Sequence, residues 1–260
     1  MAEPRHSASV LVIVGHGAAG QPASRHSVEA LAAVLSRRGL FADVRAAFLK
    51  VPPFLADVLE SVQDRKVCVV PHLSAEGVVG AEALPAALRE SGDRIVVCKA
   101  SGTHPDVARL AARRVDELCA VAALDPARLG ILVAGHGTPR NPDSATRVRA
   151  LADALKTSGA ATAAALIEEP PLIDQWDRLL VQPDIAVIPL LMAEGRHGGG
   201  AVARMLGIGE NDPGLSALKE EKPFAGPFAL KGRRVWLLRP LGTDPAFADI
   251  ILARASEAED

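Results

Sequence analysis

The chain has 260 residues and a net charge of −2, which gives no electrostatic basis for binding nucleic acid or acidic membranes. Its 49% hydrophobic and 23% charged content excludes a disordered chain and is typical of a globular domain protein. No apolar run approaches the roughly 18 residues of a membrane span, and the N-terminal MAEPRHSAS lacks the apolar core of a signal peptide, so we expect a cytoplasmic protein without membrane or nucleic-acid partners.

Short apolar runs alternate with helical patterns along the whole chain. The strands predicted in the first half are residues 9–14, 42–48, 66–70 and 94–98. Those predicted in the second half are residues 129–134, 161–167, 185–189 and 233–238. Helical periodicity lies between them, for example at 28–35 and 107–118. This alternation predicts parallel sheets with right-handed crossovers and helices on both faces.

The second half of the sequence repeats the first. The GHG at 15–17 recurs at 135–137, and the double proline ending at Pro53 recurs at Pro171. Extra residues at 207–231, rich in Gly, Pro and charge, are predicted to form a surface loop. We therefore expect an internal duplication with two similar α/β domains, each a parallel four-stranded sheet flanked by helices. Their predicted limits are residues 1–124 and 125–260.

Three chemically capable side chains follow predicted strands of the second half. They are His136 in the GHG segment, Glu168 before the double proline and His197 after the AEG segment. Ligands of open α/β sheets bind beyond the carboxyl ends of the strands, so we expect these residues to converge. Two imidazoles and a carboxylate suit a divalent metal ion or proton acceptance. The glycines beside His136 are interpreted as clearance for a large ligand.

The first half has different residues at the same offsets. His16 keeps its place, but Lys50 and Val79 replace the carboxylate and the second imidazole. The first-half site is therefore predicted to be degenerate, and its GHG segment is equally explained as a turn that needs glycine. In the second half, Glu169 beside Glu168 could fill the same role as its neighbour.

The remaining histidines, cysteines and motifs give weaker evidence for a catalytic site. His72 follows a first-half strand where the second half has Leu190, and its role stays open. Three cysteines without a CxxC pair are predicted to be buried small hydrophobes rather than a cluster or a disulfide; they are Cys68, Cys98 and Cys119. The absence of GxxxxGK[ST] and GxSxG motifs argues against a phosphate loop and a nucleophile elbow.

As a set, these motifs resemble the class II, ATP-independent tetrapyrrole chelatases of the CbiX/SirB type. The matching pieces are GHG in both halves, AFLK before PP, VVPHLSAEG, VIPLLMAEGRH and GTHPDVARLAAR. The resemblance implies two chelatase-like domains that face each other across a cleft. It also implies insertion of Co²⁺ or Fe²⁺ into sirohydrochlorin for cobalamin or siroheme biosynthesis, with no cofactor beyond the metal ion that is the substrate.

Carried over by position, the catalytic and metal-binding residues of that family fall on His136, Glu168 and His197. Two departures accompany the match. RHGGGAVAR follows the AEG segment where the family has a histidine and an acidic stretch, and many two-domain relatives carry their working histidines in the first half.

The peripheral carboxylates of a tetrapyrrole need cations, and arginine binds carboxylates through two hydrogen bonds. The expected substrate-binding residues are His16, Arg140, Arg147, Arg196 and Arg204. Two alternatives stay open: a non-catalytic carrier of tetrapyrrole or metal, and a structural or regulatory homologue. A monomer with an internal pseudo-dimer is expected, although an oligomer is also compatible with the sequence.

Overall fold

A computed structural model describes residues 8–76, 94–139, 142–156, 159–193 and 199–258. The chain divides into two compact units. Unit 1 comprises residues 1–104, 192–194 and 242–260, and unit 2 comprises residues 105–191 and 195–241.

Unit 1 is built on a four-stranded parallel sheet in the order β2-β1-β3-β4. Its strands are β1 (Val10–Gly15), β2 (Asp43–Phe48), β3 (Val67–Pro71) and β4 (Ile95–Val97). The helices α1 (Ala23–Arg38) and α2 (Leu55–Glu60) follow β1 and β2 along the chain. Strand β1 is buried along its whole length, which explains its uninterrupted apolar sequence VLVIVG.

Unit 2 contains a five-stranded sheet in the order β6-β5-β7-β9-β8. Its strands are β5 (Leu129–Gly135), β6 (Ala161–Leu166), β7 (Asp184–Pro189), β8 (Phe224–Leu230) and β9 (Arg233–Leu238). The helices that belong to it are α3 (Asp106–Ala122), α4 (Asp143–Leu155), α5 (Trp176–Leu179), α6 (Gly199–Leu206) and α7 (Ser216–Lys219). All pairings are parallel except that of β8 with β9.

The predicted α/β class and the duplication are confirmed, and each predicted strand ends within one residue of the observed one. The predicted parallel four-stranded sheet is found in unit 1, whereas the sheet of unit 2 has antiparallel β8 as a fifth strand. The prediction of a loop at 207–231 is wrong, because this segment contains α7 and the antiparallel strand β8. Gly226 and Pro227 lie at a register shift of β8, and that strand forms the edge of the sheet. An edge strand tolerates proline at a bulge, so the Gly and Pro content was a misleading signal for a loop.

Each unit contains the last helix of the other half of the sequence. Helix α3 precedes the repeat boundary at 124/125 yet belongs to unit 2, and α8 (Phe247–Glu257) belongs to unit 1. The compact units therefore divide after His104 and again near residue 241, whereas the boundary at 124/125 concerns the duplicated sequence and stays a prediction.

Two of the cysteines are buried, as predicted. Cys68 and Cys98 are 8% and 6% exposed, and their Sγ atoms lie 3.4 Å apart, with no disulfide bond between them. Cys119 on α3 is half-buried, and its burial, followed by the nearby Asp116 carboxylate, raises the pKa of its thiol.

His72 helps to hold the C-terminal segment within unit 1. Its ring is 2% exposed, with Nδ1 3.0 Å from Ser101 Oγ and Nε2 2.9 Å from the Gly242 carbonyl oxygen. Because a carbonyl only accepts, Nε2 donates and Nδ1 accepts from the hydroxyl of Ser101. The ring also meets the edge of Phe247 on α8 at a centroid distance of 5.1 Å. Burial lowers the pKa of His72 to about 4, and its bonds to backbone only partly oppose this.

Arg254 makes a second attachment of α8 to unit 1. Its guanidinium donates to Ala100 O at 3.3 Å, Thr103 Oγ1 at 2.9 Å and Glu257 Oε2 at 2.5 Å. The Arg254 bond is the main reason why the pKa of Glu257 is lowered. His104 Nε2 lies 3.2 Å from the same carboxylate. The buried cation is thus paired with a carboxylate of its own helix, and two further hydrogen bonds attach α8 to Ala100 and Thr103.

His72 should make unit 1 sensitive to mild acid. Above its unfolded pKa of 6.5 the imidazole is neutral in both states; below it, only the unfolded chain takes up a proton, until the folded pKa of about 4 is reached. The free energy of unfolding should therefore fall by about 3 kcal/mol between pH 6.5 and pH 4 through this residue. Denaturant unfolding of wild type and His72→Gln at several pH values measures it, and parallel pH profiles would contradict it.

Candidate metal and substrate site

The glycines around His136 are required by the protein's own packing. A Cβ at Gly135 would lie 2.1 Å from Val148 Cγ2 on α4, and one at Gly137 would lie 2.8 Å from Leu166 Cβ. Gly137 also has a φ of 58°, in the left-handed region. Gly17 in unit 1 has a φ of 68° and similar crowding. We therefore explain these glycines by a turn and a close helix contact, which are present in both copies, instead of by clearance for a ligand.

The turn fixes which nitrogen of His136 is available for chemistry. Nδ1 lies 3.0 Å from the carbonyl oxygen of Gly137. In the neutral ring Nδ1 must therefore carry the hydrogen, which leaves the lone pair on Nε2. Nε2 in turn lies 3.6 Å from Glu168 Oε1, and the two side chains are 37% and 42% exposed. Two electron-pair donors thus face each other, half-exposed, beyond the carboxyl ends of β5 and β6.

The separation of these two atoms suits a shared cation. Ligand atoms about 2.1 Å from a tetrahedral divalent ion lie about 3.4 Å from each other. The backbone holds the pair in place, since the N–H groups of Ile167 and Glu168 both donate to His136 O, at 3.0 and 3.1 Å. The end of β6 is therefore attached directly to the loop that follows β5.

Glu169 adds a carboxylate whose Oε1 is buried without a hydrogen-bond partner among the described residues. Its Cγ packs 3.1 Å from where a Cβ of Gly137 would stand. In unit 1 the apolar Val51 packs against Gly17 in the same way. The fold thus accepts an apolar side chain at this position, and the carboxyl group is not there for packing.

Unit 1 repeats the backbone of this corner with different charges. His16 Nδ1 lies 2.8 Å from Gly17 O, and the Lys50 N–H donates to His16 O at 3.0 Å. Lys50 therefore stands at the position that Glu168 has in unit 2, and both Lys50 and His16 are exposed. A lysine at this position opposes a divalent cation.

The other predicted residues are less clustered. Arg147 is exposed on α4, and Arg204 on α6 is exposed and ion-paired with Glu210, with 3.0 Å between Nη2 and Oε1. His197, Arg140 and Arg196 lie outside the described residues, as does Val79. Within the described ranges, no group of three or more His, Cys, Asp or Glu side chains forms a metal site, so the observed part of the site is the pair His136–Glu168.

Sequence reasoning missed one residue of this corner. Ser144 on the first turn of α4 accepts a hydrogen bond from the Gly137 N–H at 3.2 Å. In unit 1, Ser24 accepts one from Ala18 N–H at 2.9 Å. A serine eight residues after each histidine was the available signal in the repeat.

Comparison with known families agrees with this duplicated architecture. The family model described as CbiX matches residues 10–118 and again residues 130–258. The chain belongs to the CbiX family. A curated relative, the probable sirohydrochlorin cobaltochelatase of Halobacterium salinarum, is 28% identical over 95% of this chain and 91% of its own length.

Solved structures share the fold of this CbiX-family chain. SirB from Bacillus subtilis with Fe³⁺ has a TM-score of 0.72 at 17% identity, covering 96% of this chain and 95% of its own. CbiX, the terminal enzyme for siroheme biosynthesis in denitrifying bacteria, has a TM-score of 0.67 at 24% identity, covering 94% and 98%. A multi-domain Deinococcus radiodurans protein with similarity to chelatases gives 0.75 at 21% identity over 98% of this chain, which spans 56% of that protein.

A separate observation concerns membranes. In the part of the chain that the structure describes, no helix has both the length and the apolar character needed to cross a bilayer.

Replacing Glu169 with valine, the residue of the sibling corner, should stabilise unit 2. A buried polar atom without a partner costs about 1–3 kcal/mol, and Val51 shows that an apolar side chain packs against the equivalent turn. We expect Glu169→Val to raise the free energy of unfolding by about 1 kcal/mol in denaturant titrations. Glu168→Val, at the exposed neighbouring position, is the matched control and should give no such gain. Destabilisation by Glu169→Val would show that its buried oxygen is satisfied.

Proposed function

We propose that this protein inserts a divalent metal ion, Co²⁺ or Fe²⁺, into sirohydrochlorin or a closely related tetrapyrrole. The observation that carries the proposal is the 3.6 Å approach of His136 Nε2 and Glu168 Oε1 at a strand edge of unit 2. Membership of the CbiX family and the name of the Halobacterium relative support the substrate class. The structure of Bacillus subtilis SirB with Fe³⁺ supports iron as one of the candidate metals.

The two side chains suit the first half of such a reaction. Metallation requires that the ion lose water, and an imidazole nitrogen with a carboxylate oxygen can replace two water molecules on a first-row divalent ion. With His197 as the proposed third ligand, coordination positions remain open on the ion. Ring nitrogens can then bind before the protein ligands leave.

The same groups suit the release of protons. Incorporation of a divalent ion into the ring displaces two pyrrole protons, so the site needs acceptors. Once the ion moves from His136 Nε2 to the ring, the lone pair of that nitrogen is available to a proton. The carboxylate of Glu168, exposed beside it, is the second acceptor that we propose.

Recognition of an anionic ring requires cationic side chains near the metal-binding pair. We propose that Arg140, Arg147 and Arg196 bind the peripheral carboxylates of the ring through bidentate hydrogen bonds. Arg204 would have to share its guanidinium with Glu210. The substrate contact of His16, a cytoplasmic location and a role in cobalamin or siroheme biosynthesis stay predictions.

Substitutions at the two corners test the proposal. His136→Ala and Glu168→Gln should each lower the rate of metallation by about 100-fold, the range expected for loss of a positioned acid–base group. His16→Ala removes the same imidazole–glycine bond in unit 1 and should cost about tenfold or less. Anaerobic assays with sirohydrochlorin and Co²⁺ or Fe²⁺, followed by ring absorbance, measure the rates.

Melting transitions of the variants control for folding. Loss of turnover in His16→Ala with near wild-type rates in His136→Ala would place the chemistry in unit 1. Tight binding of ring and metal by the wild type without metallation above the uncatalysed rate would support a carrier instead.

A further inference from the structure

The loop that bears His136 is anchored by a side chain outside the proposed ligand set. Gly137 N–H donates to Ser144 Oγ at 3.2 Å. Ser144 is half-buried on α4, whose buried face includes Ala145 and Val148, so its hydroxyl is held by a helix that packs on the sheet. The Ser144 hydroxyl therefore anchors the exposed turn that follows β5 to a rigid helix.

From that fixed point, two hydrogen bonds lead to the reactive nitrogen. Ser144 holds the N–H of Gly137, and the carbonyl of the same glycine holds Nδ1 of His136 at 3.0 Å. The ring is thereby oriented with Nε2 3.6 Å from Glu168 Oε1. The N–H groups of Ile167 and Glu168, just after β6, donate to the carbonyl oxygens of Gly135 and His136 and not to the imidazole.

Unit 1 contains a related arrangement without the carboxylate, in which the serine binds the N–H of the residue after the glycine instead of that of the glycine itself. Ser24 Oγ accepts from Ala18 N–H at 2.9 Å and lies 2.7 Å from Gln21 O, to which it donates. His16 Nδ1 lies 2.8 Å from Gly17 O. The two serines stand eight residues after their histidines. Removal of the Ser24 hydroxyl therefore measures the loss of stability alone, away from the proposed metal ligands.

We propose that Ser144 is a positioning residue for the metal ion: through Gly137, it directs the Nε2 lone pair of His136 toward the space shared with Glu168. This inference rests on the proposed function, because it takes a divalent cation as what His136 receives. A metal bond requires a directed lone pair. If the turn that orients the imidazole can move, His136 should therefore bind the ion more weakly even when the fold is intact.

The experiment compares Ser144→Ala, Ser144→Thr and Ser24→Ala with the wild type. Both alanine variants should lower Tm by a similar few degrees, since each removes one hydroxyl bond to a loop N–H. Only Ser144→Ala should weaken Co²⁺ binding, by about tenfold, as expected for loss of a residue that orients a ligand. Its visible Co²⁺ absorption spectrum should also change, whereas Ser144→Thr, which keeps the hydroxyl, should retain the wild-type affinity and spectrum.

Several results would overturn the inference. Wild-type Co²⁺ affinity and spectrum in a folded Ser144→Ala would make the serine purely structural. Failure of a folded Ser144→Thr to restore them would show that the hydroxyl is not what matters. If Ser144→Ala does not fold, Ser144→Cys replaces it, because a thiol is a weaker acceptor and should give an intermediate loss of affinity.

Ring metallation is scored separately from Co²⁺ binding. A wild type that binds Co²⁺ in a Ser144-dependent way but does not metallate sirohydrochlorin would refute the proposed function and leave the inference standing. Metallation that depends on His136 but is indifferent to Ser144 would refute only the inference.

Discussion

The hydrogen bond between His136 Nδ1 and the carbonyl of Gly137 determines what unit 2 can do chemically. It leaves the lone pair of the neutral ring on Nε2, which faces Glu168 at 3.6 Å. The bond itself needs the left-handed turn at Gly137, and that turn needs the absence of a Cβ beside Leu166. Packing of the strand end thus sets the orientation of the imidazole that we propose as a metal ligand.

The duplicated chain separates what the fold requires from what the chemistry requires. Both corners share the positive φ at the glycine, the imidazole–carbonyl bond and the backbone bond from the following strand. They differ in Glu168 against Lys50 and in Glu169 against Val51. Since the backbone is common, these side chains are what we expect to make the second-half corner, and not the first, favourable for a divalent cation.

The strands could be predicted from the sequence because strands buried on both faces are nearly continuous apolar runs. Strand β8 could not, since Gly226 and Pro227 interrupt its pattern and only pairing with β9 explains them. The candidate residues His136 and Glu168 followed from strand ends. The reason for the glycines did not, because Val148 reaches Gly135 from a helix whose packing no local pattern reveals. Ser144, in contrast, has a signal in the sequence, because Ser24 stands at the same distance from His16 in the first half.

We propose that the corner of unit 2, and not that of unit 1, receives the metal ion through Nε2 of its histidine. Anomalous scattering at the cobalt edge from crystals of the protein with Co²⁺ tests it most directly. We expect a peak about 2.1 Å from His136 Nε2 with Glu168 as a second ligand, and no peak at His16. A peak at His16, or Co²⁺ bound to Nδ1 of His136 with the Gly137 bond broken, would contradict it.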